Sequence, residues 1–510
     1  MGTFIMDNVN LVSHEHIQNN RAVSGGMKFP FVLIGLLTAL FVVLAISPYS
    51  ISVVLGFLCL WALMGTKQAI QAVSLSVIIK YLNPALYTFS SETGILAWLV
   101  IALAVIRLLP NVKMRHIRFL LPLISFSLVV ALLSIFVSPN PQISLLKIFS
   151  FLVVVAAVLI GMSTASRNTI EAWKLWFLSL TVSLILVSIP TLFFPIVGYH
   201  TNGRGFQGIL NQPQALGAWL APVGAWLLMG LFQIKRKSRV ILLGALVILI
   251  GLVISTEART SVAAILLSIA ATFIVASIRQ RKDFSLSITR GVLVATFLSF
   301  AIAIMLFISP GLSNGIKGFV LKYQPPQGSE AGIEKSFYSS RGSGIESEWA
   351  NFLNQPITGN GFGVYAAGDS RYVVTASQSD IETVYGIPIS APVEKGFLPT
   401  AILEETGIIG TLFFIWFLIS LTKHVTKNSD ARWVSLFFAC LFVNVGEAVL
   451  LSVGGLGLYL WLLIGLAIGA SGDGRQKRYS EREFRGASPT INSPPVIEED
   501  TQKLPARPYI

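Results

Sequence analysis

The feature that most constrains this chain is a series of apolar runs, most of them long enough to cross a membrane as helices. A spanning helix needs about 20 apolar residues, with a range of roughly 17–25. The runs cover 30–47, 49–64, 68–83, 92–109, 117–137, 143–162, 172–194, 214–233, 239–256, 260–278, 287–308, 397–421, 432–449 and 451–470. The third run carries Gln68, Gln71 and Lys80 and is also compatible with a position in the membrane interface. The sequence therefore predicts 12 to 14 transmembrane helices.

The composition narrows the class of protein further. Of 510 residues, 54% are hydrophobic and only 12% are charged, and the mean hydropathy is +0.73. Soluble proteins carry about 25% charged residues, and a single soluble core stops growing at roughly 250–300 residues. These values exclude a soluble enzyme, a disordered chain and a nucleic-acid-binding protein. We expect an all-α polytopic membrane protein.

Basic residues in the connections predict how the chain is oriented. Clusters of Lys and Arg occupy 113–118, 235–239, 279–290 and 423–432. Because cytoplasmic loops are enriched in Lys and Arg, we place all four clusters inside. Alternating passes then put both termini in the cytoplasm, and the net charge of +13 reflects the same bias.

The pattern divides the chain into five segments. These are a cytoplasmic N-terminal segment 1–29, transmembrane helices 30–308, a large outward loop 309–395, C-terminal transmembrane helices 396–470 and a disordered cytoplasmic tail 471–510. A loop this long is usually functional or disordered. Within it, Glu348, Trp349, Phe352 and Leu353 predict a short amphipathic helix, and the glycines at 359, 361 and 363 predict a sharp turn.

Three arginines on the outward side run against the charge bias and are candidate ligands for an anion: Arg204, Arg259 and Arg341. Arg259 lies at the tip of a tight helical hairpin, where an ionisable group is costly and therefore a candidate functional residue. Guanidinium binds phosphate oxygens in a bidentate manner, and the helix that starts near Thr260 adds positive potential. The alternatives are that Arg259 pairs with Glu257 or reaches lipid phosphates, and that the other two are solvated.

Two residues are candidates for an acid or base. His200 is the outward-facing histidine, and Glu394 precedes the run 397–421. A carboxylate at a membrane rim can accept a proton from a sugar hydroxyl. The alternatives are a solvated His200 and an ion pair between Glu394 and Lys395. Deeper in the sequence of that run, Glu404 and Glu405 are expected to cap or hydrogen-bond a neighbouring helix, with Gly407 and Gly410 allowing close approach.

Four stretches of the chain, 204–213, 255–261, 341–363 and 405–410, together resemble the O-antigen ligase and O-antigen polymerase superfamily of bacterial envelope glycan assembly. Residues 204–213 are similar to its Arg…Gly…Asn-Pro segment, and 255–261 to its Ser-Arg hairpin. Residues 341–363 resemble the start of its large periplasmic loop, and 405–410 its Glu-x-Gly-x-x-Gly helix. The resemblance covers about 190–470.

The resemblance implies an inverting, GT-C-like glycosyltransferase in the bacterial inner membrane, with 309–395 as its periplasmic loop. Its substrates would be an undecaprenyl-type lipid-diphosphate donor and a glycan or lipid acceptor, and Arg204 and Arg259 would hold the diphosphate. The family's ligases place a catalytic His before the Gly-x-x-Gly helix, whereas this chain has Glu394 nearby and no His in 392–399. Glu394 or His200 would take that role, and a polymerase is at least as compatible as a ligase.

Other functions remain compatible with the sequence. A transporter of a small anion, such as inorganic carbon, would place charges at the membrane midplane, and a lipid-linked sugar flippase would line a cavity with cations. No HExxH, P-loop, GxSxG or paired-Asp motif occurs, so we expect neither a metal nor a cofactor. Cys59 and Cys440 both lie in apolar runs and are expected to be buried hydrophobic residues.

Overall fold

The computed structural model of the protein describes residues 30–90, 92–111, 114–199, 205–233, 236–278, 342–366, 382–384, 387–390 and 395–486. In these ranges the chain is mostly α-helical, as the apolar runs predict. Two short strands, β1 (Glu382–Val384) and β2 (Ile387–Ser390), form an antiparallel hairpin in which Glu382 is paired with Ser390. The helix predicted over 287–308 lies outside the described residues.

The helices follow the predicted runs closely. The first eight are α1 (Phe31–Leu44), α2 (Pro48–Met64), α3 (Thr66–Lys80), α4 (Thr93–Leu108), α5 (Met114–Val137), α6 (Pro141–Ser163), α7 (Arg167–Ser188) and the single turn α8 (Pro195–Gly198). The next four are α9 (Pro213–Leu231), α10 (Arg236–Ser255), α11 (Arg259–Ile278) and α12 (Ser343–Asn354). The last three are α13 (Leu398–Asn428), α14 (Ala431–Phe442) and α15 (Leu456–Gly486). Short 3₁₀ turns occupy Leu109–Asn111, Ile189–Phe193 and Val443–Val445.

The length and composition of these helices indicate a membrane protein. Within the described residues, six helices are long and apolar enough to cross a membrane: Arg118–Val137, Pro141–Ser163, Arg167–Phe193, Pro213–Leu231, Arg259–Ile278 and Leu398–Lys427. Six shorter apolar helices accompany them. Large apolar side chains such as Phe31, Phe136 and Ile241 are exposed on the outer surface of the bundle, as expected where lipid replaces water.

Helix α3 corrects one prediction. An interfacial position was compatible with its polar residues, but the structure buries every residue from Ala69 to Ile79. The polar groups find partners inside: the Ser74 hydroxyl donates to the Gln71 carbonyl at 2.8 Å and accepts from the Trp176 indole at 2.8 Å. Helix α3 is therefore an internal element of the bundle.

The C-terminal helices differ from the prediction in their bounds. The runs 432–449 and 451–470 predict two nearly adjoining helices, but α14 ends at Phe442 and α15 begins at Leu456. Asn444 stabilises the intervening segment, because its side-chain amide donates to Cys440 O at 2.8 Å and its side-chain oxygen accepts from Leu450 N at 2.7 Å.

The tail also differs from the prediction. The sequence predicts disorder from 471, whereas α15 continues as a helix to Gly486. Arg, Gln, Lys and Glu dominate this extension, and all four are good helix formers. Residues 487–510 lie outside the described residues.

Contacts between connections bring several helix termini to one end of the bundle, which we call the hairpin end. Asn83 N donates to Ile209 O at 2.8 Å, and Phe206 N donates to Ser255 O at 2.8 Å. Lys80 Nζ donates to Gly454 O at 2.7 Å. The hairpin end therefore includes the C-terminus of α3, the connection before α9, the α10–α11 tip and the segment before α15.

Candidate functional site

Arg259 is the predicted site residue that the structure describes. His200, Arg204, Arg341 and Glu394 lie outside the described residues. The described part of the site consists of Arg259 and of the segments that flank the other four positions.

Arg259 is the first residue of α11 and is half-buried. The turn that precedes it is short, because α10 ends at Ser255 and only residues 256–258 separate it from α11. Glu257 adopts a left-handed backbone with φ 55°, and its carbonyl accepts from Arg259 N at 3.0 Å. The Thr256 hydroxyl accepts from Ala258 N at 3.1 Å. These bonds fix the start of a 20-residue helix and the position of its arginine.

The segment before α9 packs directly against this turn. Gly205 has φ 73°, and a Cβ there would lie 2.8 Å from Thr256 O. Gly217 in α9 is also too close to this turn for a side chain, since a Cβ added there would lie 2.5 Å from the Ala258 Cβ. Glycine at both positions permits this approach. Gly205 follows Arg204 in the chain, so the segment that carries Arg204 meets the turn that carries Arg259.

A third segment contacts the start of α11 from the α14–α15 connection. A Cβ on Gly446 would lie 1.8 Å from Thr260 Cγ2, so only glycine fits at this position. The next residue, Glu447, is half-buried. The Arg259 turn is thus enclosed by segments from two other parts of the chain.

The electrostatics of this site favour an anion. The first N–H groups of a helix have no partners within the helix and carry partial positive charge. In α11, Arg259 N and Ser261 N already donate to Glu257 O and Ala258 O. The guanidinium group and the remaining positive potential of this terminus are therefore what phosphate oxygens would meet.

A second group of charged residues, which we call the buried cluster, lies at the start of α13. Lys395 Nζ is 2.8 Å from Glu404 Oε2 and 3.1 Å from Glu405 Oε1, and all three side chains are at most 6% exposed. Burial lowers the pKa of Lys395, but Glu405 and Glu404 together raise it more, so the net pKa lies above its ordinary value. Lys395 is therefore a cation at neutral pH.

The buried cluster lies beside a break in α13. Gly407 has φ 60° and ψ −171°, which interrupts the helix. The segment 356–363 fills the break: Asn360 N donates to Glu404 O at 2.8 Å, and Ile408 N donates to Pro356 O at 2.9 Å. Gly363 N donates to Glu405 Oε2 at 2.8 Å. Backbone groups freed by the break are thus bonded to the loop.

Helix α12 holds the other side of the buried cluster. The Asn351 amide donates to Glu404 Oε1 at 2.8 Å, and the Thr400 hydroxyl donates to Glu348. The predicted short helix is confirmed, but its faces differ from the expectation, because Glu348 is buried and Trp349 is 46% exposed. The partners of Glu348 on α13 explain the difference.

Sequence reasoning identified Glu404 and Glu405 as bonded within the protein but missed Lys395 as their partner. Lys395 lies close in sequence to two acidic residues in an apolar run, and this proximity could have indicated the pairing. Gly407 does allow the expected close approach, since its Cβ would lie 2.3 Å from Ile357 O. The approaching element is a loop and not a helix.

The two groups of charges therefore differ in what they can do. The buried cluster pairs its one cation with two carboxylates, whereas the Arg259 turn presents a cation and a helix N-terminus together. Within the described residues, no group of three His, Cys, Asp or Glu side chains could hold a metal ion. No known family model matches the chain, and no curated protein matches it.

Proposed function

We propose that the protein is a membrane glycosyltransferase that uses a lipid-diphosphate donor of the undecaprenyl type. It would polymerise or ligate polysaccharide units on the periplasmic side of a bacterial inner membrane, as the resemblance to O-antigen ligases implies. The observation that carries the proposal is Arg259, half-buried at the N-terminus of α11 and in a turn that packs against Gly205, the residue that follows Arg204 in the chain.

In this proposal Arg259 and Arg204 bind the donor diphosphate, and Arg341 contributes from the loop. Glu394, or His200 in its place, removes the proton from the acceptor hydroxyl. The hydroxyl attacks the anomeric carbon from the face opposite the diphosphate, which inverts the configuration. The arginines stabilise the charge that develops on the leaving diphosphate, and one such donor contributes roughly 3–4 kcal/mol.

The buried cluster supports the same proposal in a structural role. Lys395 follows Glu394 in the chain and is held by Glu404 and Glu405. The same two carboxylate residues bind α12 and the segment 356–363. The cluster therefore fixes α12, the segment 356–363 and the last residue of the large loop, Lys395, on α13.

A transporter of a small anion is the second candidate, and the break at Gly407 favours it. Transporters often bind their substrates at interrupted helices that carry charges inside the membrane. Two features of the buried cluster oppose this function. The segment 356–363 fills the break, and the lysine is paired with both glutamates, with all three side chains closed off from solvent.

The experiment that tests the proposal is the glycan profile of cells that lack the protein, with lipid-linked intermediates quantified. Loss of long chains with single units accumulating on the lipid carrier would identify a polymerase. Long chains kept on the carrier and missing from their acceptor would identify a ligase. An unchanged profile would overturn the transferase and leave the transporter.

A further inference from the structure

Helix α12 exposes an apolar stripe along one of its sides. Trp349 is 46% exposed, and Leu353, about one turn later, is 58% exposed. Because residues four apart lie on the same side of a helix, these two side chains form one stripe. Ile357, just beyond the end of the helix, extends it and is 62% exposed. Contact with water is unfavourable for such side chains, and a contiguous apolar patch marks an interaction surface.

The rest of the surface of α12 is divided into a buried side and a polar side. Glu348 and Phe352 are buried against the protein, and Glu348 accepts from the Thr400 hydroxyl. Glu346 and Asn354 are exposed and share the polar side. At about 3.6 residues per turn, the apolar stripe lies between these two sides. A helix with three such sides is suited to a boundary at which protein, lipid and water meet.

The stripe continues into the lipid-facing side of α13. Ile409 N donates to Ile357 O at 3.4 Å. The preceding pair is bonded as well, since Ile408 N donates to Pro356 O at 2.9 Å. Ile408 is exposed, and the exposed apolar side chains that follow it on the same side of α13 are Leu412, Ile415, Trp416 and Ile419. Because α13 is long and apolar enough to cross a membrane, acyl chains would cover this side, and the stripe of α12 adjoins it.

The length of α13 places α12 at the membrane surface. The part of α13 after the break, residues 408–428, is about 31 Å long at a rise of about 1.5 Å per residue. The hydrocarbon core is about 30 Å thick, so this part alone can cross it. Gly407 and the segment 356–363 that is bonded to it then lie close to the surface. Helix α12 directly precedes that segment, and a tryptophan such as Trp349 is typical of this level.

We infer that α12 is an interfacial helix that binds the lipid surface beside the start of α13. Trp349, Leu353 and Ile357 insert among the acyl chains, and Glu346 and Asn354 face the water. Interfacial helices bury their apolar side about 5–10 Å into the boundary between headgroups and acyl chains. The inference is independent of the proposed function, because it concerns how the large loop is attached to the membrane, whatever reaction the protein catalyses.

The test places a bimane fluorophore at two adjacent positions of α12, in the full chain reconstituted in phosphatidylcholine nanodiscs. Leu353→Cys lies on the apolar stripe, and Asn354→Cys is the matched control on the polar side, since both positions are exposed. Cys59 and Cys440 are buried and should take up little label. Quenching by phosphatidylcholine with a doxyl group near the top of its acyl chain measures contact with lipid. Quenching by iodide measures contact with water.

We expect the doxyl lipid to quench the fluorophore on Leu353→Cys several-fold more strongly than that on Asn354→Cys, and iodide to give the reverse order. Ile357→Cys should behave like Leu353→Cys and replaces it if that variant cannot be reconstituted. Equal quenching of the two adjacent positions by the doxyl lipid would overturn the inference. Protection of Leu353→Cys from both quenchers would also overturn it, because a second copy of the chain or another part of the loop would then cover the stripe.

Discussion

At the scale of single residues, Arg259 and Lys395 show two ways in which a membrane protein keeps a cation near its apolar interior. Lys395 is paired with two carboxylates within 3.1 Å and closed off from solvent. Arg259 is half-buried and begins a helix, where its charge adds to the helix dipole. The first arrangement stabilises a loop, and the second combines a cation with a helix N-terminus.

Arg259→Ala is expected to reduce glycan transfer roughly 100- to 1,000-fold, which is the usual effect of removing one donor to a developing negative charge. Arg259→Lys should be nearly as inactive, because an ammonium group loses the bidentate fork. Glycan length and amount in cells measure the effect, with membrane levels checked by immunoblot. Arg118→Ala, at an exposed position at the start of α5, is the control. Normal glycans with Arg259→Ala would remove Arg259 from the site.

Lys395→Met is expected to destabilise the protein by about 3–5 kcal/mol, since it leaves two buried carboxylates without their cation. The triple variant Lys395→Met, Glu404→Gln and Glu405→Gln should recover part of this loss, because it removes the uncompensated charges as well. Thermal unfolding in detergent compares the two. A partly exposed pair serves as control: Arg432 is bonded to Asp430 with side chains 29% and 35% exposed, and Arg432→Gln should cost only about 1 kcal/mol. A triple variant no more stable than Lys395→Met would contradict the role given to the cluster.

At the scale of elements, α13 shows how a break in a helix is stabilised inside an apolar bundle. Free backbone N–H and C=O groups are costly there and need partners. The segment 356–363 supplies these partners at Gly407, and Glu404 and Glu405 bind the same segment and Lys395. The break and the loop are therefore one structural unit.

Gly407→Ala should destabilise this unit strongly. Its backbone has φ 60°, which disfavours any residue with a Cβ, and the new Cβ would lie 2.3 Å from Ile357 O. We expect a loss of several kcal/mol, of the order seen when backbone strain and overpacking combine. Gly244→Ala in α10 is the matched control, because nothing lies within 4 Å of its Cβ position. It should be neutral or slightly stabilising. Equal Tm values for the two variants would rule out the strained break.

The elements were predictable from sequence to different degrees. The run 143–162 predicts α6, which spans Pro141–Ser163, because apolar length alone determines such a helix. The break at Gly407 was not predictable, since its partners come from a segment about 50 residues away in the chain. The position of Arg259 in a short turn was predictable because two apolar runs confine it there. The sequence offers Glu394 as an ion-pair partner for Lys395, whereas the partners in the structure are Glu404 and Glu405 on α13.

At the scale of the whole molecule, contacts distinguish two ends of the bundle. The hairpin end carries the α10–α11 turn and the segment before α9, and the other end carries the start of α7 and α14. Basic residues concentrate at the second end, around 235–239 and 423–432. The proposed donor site thus lies at the hairpin end, and the orientation of that end in the membrane decides whether Arg259 can meet a periplasmic substrate.

Labelling of single cysteines tests this orientation. Glu257→Cys lies at the hairpin end and Lys423→Cys at the other, both at exposed positions. Because Cys59 and Cys440 are buried, the unaltered chain should give little labelling. A membrane-impermeant maleimide should label Glu257→Cys in right-side-out vesicles and Lys423→Cys in inside-out vesicles, as the positive-inside bias predicts. The reverse pattern would place the Arg259 turn in the cytoplasm and exclude a periplasmic transferase site there. Labelling of both from one side would show that the two ends do not lie on opposite faces of the membrane.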